Sequence, residues 1–170
     1  MSLYRALLGG VLSVMIVPHF AIAADGSAVF GWQERGLIQP EQGPVDVELD
    51  PTSAKSSLTV QNITNFQKNG DDWVRFTVQT THSLTGSDAL TLERKVQSME
   101  KSKGSFGSSS SPRQSVQISL CIGDKVYPET LTLKSHGKGT AAVKLGRDVI
   151  GHLGLIDASR MDTVKLNCKG

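Results

Sequence analysis

Between residues 45 and 146, apolar positions recur at every second residue in short runs, each closed by turn-forming residues. "VDVEL" (45–49), "SLTVQNI" (57–63), "DWVRFTVQT" (72–80) and "LTLERKV" (90–96) are such runs. "SVQISLCI" (115–122), "ETLTL" (129–133) and "TAAVKLG" (140–146) continue them. A period of two puts alternate side chains on opposite faces, so the pattern predicts a succession of half-buried β-strands. "KNGDD" (68–72) and "IGDK" (122–125) carry the Asn-Gly and Gly-Asp pairs of tight hairpin tips. A helix is predicted only over "RDVIGHLG", starting at Arg147 or Asp148, with Asp148 as candidate N-cap and Gly151 as a weak point. The reading is an all-β domain with one short late helix.

Two stretches depart from this pattern. Residues 98–112, "SMEKSKGSFGSSSSP", are rich in Ser, Gly and Lys and offer little to bury, which predicts an exposed segment, either a linker or a long hairpin tip. Only about 58 residues follow, too few for a domain boundary to be expected there. At the N-terminus, Arg5 precedes an apolar run to Phe20, and Ala21 and Ala23 form a small-x-small cleavage pattern. That is the layout of a signal peptide over 1–23, followed by one exported domain over 24–170, most simply in a bacterial periplasm. The rival reading, a membrane anchor, fits less well, because the run is short and contains Gly9, Gly10, Pro18 and His19.

Without residues 1–23 the chain keeps 17 basic and 16 acidic residues. So even a balance gives no electrostatic reason to expect nucleic acid or an anionic membrane as partner. The two cysteines, Cys121 and Cys168, are candidates for one disulfide in an oxidising compartment; two unpaired thiols are the alternative. No H-E-x-x-H pair and no Gly-rich loop ending in Lys-Ser or Lys-Thr occurs. His82, His136 and His152 have no ligand spacing, so neither a metal nor a cofactor is expected.

Several segments together resemble one family. "FGWQERGLIQPEQG" (30–43), "LDPTSAKSSLTVQNITNFQKNGDDWVRFTV" (49–78), "ETLTL" and "LGRDVIGHLGLIDASRM" (145–161) are similar to the bacterial retropepsin-like aspartic peptidases long labelled "ATP-dependent zinc protease". "RQSVQISLCIG" (113–123) resembles the strand that follows the flap in such enzymes. The resemblance implies a retropepsin-like closed β-barrel subunit ending in a short helix. It puts the catalytic aspartate at Asp50 and a fold-supporting pair at Arg147 and Asp148. It puts a substrate-covering flap around Gly104, Ser105, Phe106 and Gly107, and implies a homodimer in which each subunit supplies half a site.

The same comparison locates a departure. Where the family carries Asp-Thr-Gly, this chain has Asp50-Pro51-Thr52. In an aspartic protease two such carboxylates share one proton across a two-fold axis, one as base on water and the other as acid. The Thr hydroxyl joins the two loops and the Gly lets them approach. Pro51 brings neither hydroxyl nor N–H, and Thr52 adds a β-branched side chain in the glycine position. The expectation is therefore an exported domain that has lost peptidase activity and binds a peptide or protein partner. The alternatives are an active homodimeric endopeptidase using Asp50, an ordinary turn aspartate at that position, and an unrelated β-sandwich module.

Overall fold

A computed structural model describes residues 28–81, 89–100, 112–135 and 141–168. The described residues form ten strands and one helix: β1 (Val29–Gln39), β2 (Gly43–Leu49), β3 (Ser57–Thr59), β4 (Gln61–Lys68), β5 (Asp71–Gln79), β6 (Ala89–Glu100), β7 (Arg113–Ile122), β8 (Lys125–Lys134), β9 (Val143–Leu145), α1 (Arg147–Leu153) and β10 (Leu155–Met161). Six of the strands close a barrel in the order β1-β2-β9-β3-β8-β7, sealed by antiparallel pairing of β1 with β7 from Gly36↔Ile122 to Gln39↔Ser119. Among the described residues this is a closed all-β barrel with one short helix, the architecture the resemblance implies. The sheet continues outward from β7 through β6, β5 and β4, and β10 lies parallel against β1. No helix among the described residues is long and apolar enough to cross a membrane.

The period-two runs are the barrel's inward faces. Val45, Val47 and Leu49 of β2, Val116, Ile118, Leu120 and Ile122 of β7, and Val143 and Leu145 of β9 are buried in one cluster. Val74, Phe76 and Val78 of β5 extend that cluster beneath the outer sheet. At roughly 25 cal/mol per Å² of apolar area removed from water, such a cluster is the main force holding the barrel closed.

The structure corrects the sequence reading in four places. The run at 57–63 is two strands: Val60 donates its N–H to Lys134 O (2.8 Å), and beyond it Asn62 adopts a positive φ of 52° within a register shift. That irregularity lets β3 stay in the barrel while β4 leaves for the outer sheet. Residues 98–100 belong to β6 and pair with Arg113–Ser115, so the serine-rich segment joins two antiparallel neighbours. Its flap candidates, Gly104, Ser105, Phe106 and Gly107, lie outside the described residues, as do His82 and His136. The helix takes Gly146 as N-cap, not Asp148, because Ile150 and Val149 donate to Gly146 O.

The fourth correction is β1 and β10, which alternation had not revealed as strands. β1 buries Glu34 completely, an acid where an apolar residue was expected. Its carboxylate accepts the N–H groups of Gly31, Thr163 (3.1 Å) and Val164 (3.3 Å) and the Thr163 hydroxyl. Those donors offset the cost of burying the charge and tie the C-terminal tail to the barrel. Gly31 is needed where the two strands touch, since a Cβ there would lie 2.5 Å from Arg160 O. The tail ends in a Cys121–Cys168 disulfide, with a Cα–Cα separation of 6.1 Å.

Candidate functional site

β2 and β9 run parallel, with Leu49 beside Leu145, so both strands end at the same rim of the barrel. The Asp50 loop leaves one strand and Gly146-Arg147-Asp148 leaves the other. Asp50 N–H donates to Leu145 O at 2.8 Å, fastening the two exits together. Gly146 packs under the loop so closely that a Cβ would fall 2.7 Å from Lys55 C and 2.9 Å from Ser53 O. Glycine at 146 is therefore a steric requirement of this rim.

Residues 50–53 form a β-turn closed by Ser53 N–H on Asp50 O (3.2 Å), with Pro51 at its second position. The fixed φ of proline suits that position, and its missing N–H has no role there. Asp50 Oδ1 accepts the Thr52 N–H (2.9 Å) and the Thr52 hydroxyl (2.6 Å), and Oδ2 accepts the Ser53 hydroxyl (2.7 Å). Lys144, directly across from Glu48 in the β2–β9 register, places Nζ 2.7 Å from Glu48 and 3.6 Å from Asp50 Oδ2. The Asp50 side chain is 15% exposed.

These contacts fix its charge. The Thr52 hydroxyl first, then the Ser53 hydroxyl, with smaller help from Thr52 N–H and Lys144, outweigh desolvation and hold the Asp50 carboxyl far below the usual carboxylate range. Lys144 is raised above the usual lysine range, chiefly by its hydrogen bond to Glu48. Asp50 is a carboxylate that accepts three hydrogen bonds from within its own turn.

Arg147 and Asp148 brace this turn from the other exit. One Arg147 nitrogen, Nη1, donates to both Pro51 O and Thr52 O at 2.8 Å, and Arg147 N–H donates to Ser53 O (2.9 Å). Asp148 accepts the Ser56 hydroxyl (2.7 Å) and the Ser56 N–H (3.2 Å), while the same hydroxyl accepts Gly146 N–H (2.8 Å). The whole assembly is one hydrogen-bonded unit.

The chain that carries this aspartate turn at the rim of a closed six-stranded barrel has similar proteins among those known. Residues 29–165 match the RimB-like family, described as the retropepsin-like aspartic endopeptidase RimB. The chain belongs to this family. Its fold is also similar to the crystal structure of a Legionella pneumophila subsp. pneumophila strain Philadelphia 1 protein of unknown function (DUF785). That protein is 25% identical, with a TM-score of 0.67, over 81% of this chain and 98% of the other. No curated protein matches the chain.

Within this retropepsin-like frame, Asp50, Arg147 and Asp148 lie together at one rim. Cys121 and Cys168 lie apart from it, beside the β7–β8 turn, where Asn167 N–H reaches Gly123 O (2.7 Å). His152 sits on α1 against Glu129 at 2.8 Å. Among the described residues no group of His, Cys, Asp and Glu could hold a metal. Sequence reading did not single out Lys144, Glu48 or Ser56 as site residues. The first two sit at outward positions of alternating runs, and only the parallel pairing of β2 with β9 brings them beside Asp50.

Proposed function

We propose that this retropepsin-like domain is catalytically degenerate and acts by binding a peptide or protein partner. One observation carries the reading: both oxygens of Asp50 accept side-chain hydroxyls from Thr52 and Ser53. An aspartic protease needs one carboxyl protonated and free to polarise the scissile carbonyl, and the other free to activate water. A carboxylate held ionised by its own turn cannot serve as the protonated member, and the three donors already on it weaken it as a base toward water. The barrel frame does not depend on that chemistry, and a strand-lined cleft binds extended peptides through main-chain hydrogen bonds. Export to the periplasm with removal of 1–23 belongs to the same proposal, supported by the disulfide. Incubating the mature chain with a mixed peptide library, separating bound from free, and weighing the bound fraction by mass spectrometry tests this. Retained, intact peptides are expected; bound peptides recovered as fragments that depend on Asp50 would overturn it.

A second reading, an active homodimeric endopeptidase using Asp50, is favoured by a different feature. Val29 (45% exposed), Trp32 (38%), Leu155 (61%) and Met161 (50%) leave an apolar border along β1 and β10. A second copy would cover it. Sedimentation of the mature chain tests this, with a monomer at micromolar concentration contradicting the dimer.

A further inference from the structure

About four residues before Asp50, on the outward side of the β1–β2 pair, charged groups line a hollow without binding one another tightly. Arg35 of β1 faces Asp46 of β2 directly across the strands. Both line a hollow of about 350 Å³, together with Asp162 at the end of β10. That volume lies at the small end of the range for small-molecule sites. Gly36, Pro44 and Leu166, with the polar Gln33 and Thr81, are among its uncharged walls.

These charges are only loosely paired with one another. Arg35 Nε stands 3.8 Å from Asp162 Oδ1, too far for a hydrogen bond, and the side chains are 73% and 52% exposed. Among the described residues neither the Arg35 guanidinium nor the Asp46 carboxylate has a hydrogen-bond partner. Two other strand arginines are held in hydrogen-bonded ion pairs, Arg75 by Glu93 and Arg94 by Glu41. Asp162 is also fixed in place, with a φ of 50° and its N–H on Gln33 O (2.9 Å). Its backbone is thus held beside the hollow, and its carboxylate has Arg35 as a loose ion partner.

We infer that this hollow binds a free basic α-amino acid of the lysine or arginine type. The planar guanidinium of Arg35 fits a carboxylate with two parallel hydrogen bonds. Asp46 and Asp162 then receive the α-ammonium and the side-chain cation. The three protein groups sum to one negative charge, which a ligand of net charge +1 neutralises and a plain zwitterion does not. Pro44 and Leu166 lie along the aliphatic stem.

The test is calorimetric titration of the mature protein with L-lysine, beside cadaverine, which lacks the carboxylate, and L-norleucine, which lacks the side-chain ammonium. Saturable binding of L-lysine is expected, with each comparator weaker by about tenfold. Arg35→Gln and Asp46→Asn should each weaken lysine binding by about tenfold, and Lys95→Gln, which is paired to Asp71 in the outer sheet, should leave it unchanged. Because the mutated side chains are solvent-facing, circular dichroism should report the same fold for all variants. Absent saturation with the parent protein, or equal affinity in Arg35→Gln and Asp46→Asn, overturns the site. Equal binding of norleucine overturns the assignment to a basic amino acid.

Discussion

Replacing Asp50 by asparagine keeps the shape of the turn and removes its charge, which makes the residue's energetic role measurable. The folded state holds this carboxyl below its unfolded value of about 3.9. A depressed carboxylate contributes stability above the unfolded value and loses it as pH falls toward the folded one. The parent should therefore be more stable than Asp50→Asn at pH 7 in urea unfolding, with the difference shrinking below about pH 4. A difference constant with pH would mean that the hydroxyls of Thr52 and Ser53 do not favour the ionised form. Ser56 is a second residue whose role is local and testable. Its buried hydroxyl serves both Asp148 and Gly146 N–H, so Ser56→Ala should cost about 1–3 kcal/mol. Equilibrium unfolding at neutral pH measures it, and a loss below the error would remove Ser56 from the brace.

At the scale of elements, the strands that alternate cleanly in sequence are those with one apolar face, such as β2, β5 and β7. β1 and β10 were illegible for a physical reason. β1 carries two glycines, Gly31 and Gly36, where a Cβ would fall under 3 Å from a neighbouring strand, and a buried acid with three of its four donors in the distant segment 163–164, so its inward face does not read as apolar. The split between β3 and β4 was hidden too, because a positive-φ asparagine leaves no mark in a period-two run. The same long-range logic applies to the tail. Its disulfide closes a loop with a sequence separation of 47, for which loop entropy predicts about 4 kcal/mol. Unfolding of the oxidised protein against the Cys121→Ser/Cys168→Ser variant should show a loss of that order. A loss near zero would mean that Glu34 and its four donors hold the tail unaided.

At the scale of the molecule, the barrel and the site tell different stories. Gly146, Arg147 and Asp148 hold the Asp50 turn through close packing and hydrogen bonds, and they stood out in the sequence as a Gly-Arg-Asp motif. The replacement of Thr-Gly by Pro51-Thr52 was legible too, but its consequence was not. Sequence reading saw lost supports, whereas the structure has a gain: Pro51 suits the β-turn, and Thr52 and Ser53 turn their hydroxyls onto Asp50. Lys144 completes the arrangement from a strand that is remote in sequence and adjacent in the sheet.

The most direct measurement is cleavage of a peptide library by the mature protein, followed from the acid to the neutral range beside Asp50→Asn. A carboxylate committed to its own turn predicts no Asp50-dependent cut at any pH, with both proteins folded. Bonds cut by the parent and spared by the variant would contradict the account and make Asp50 a working catalytic acid.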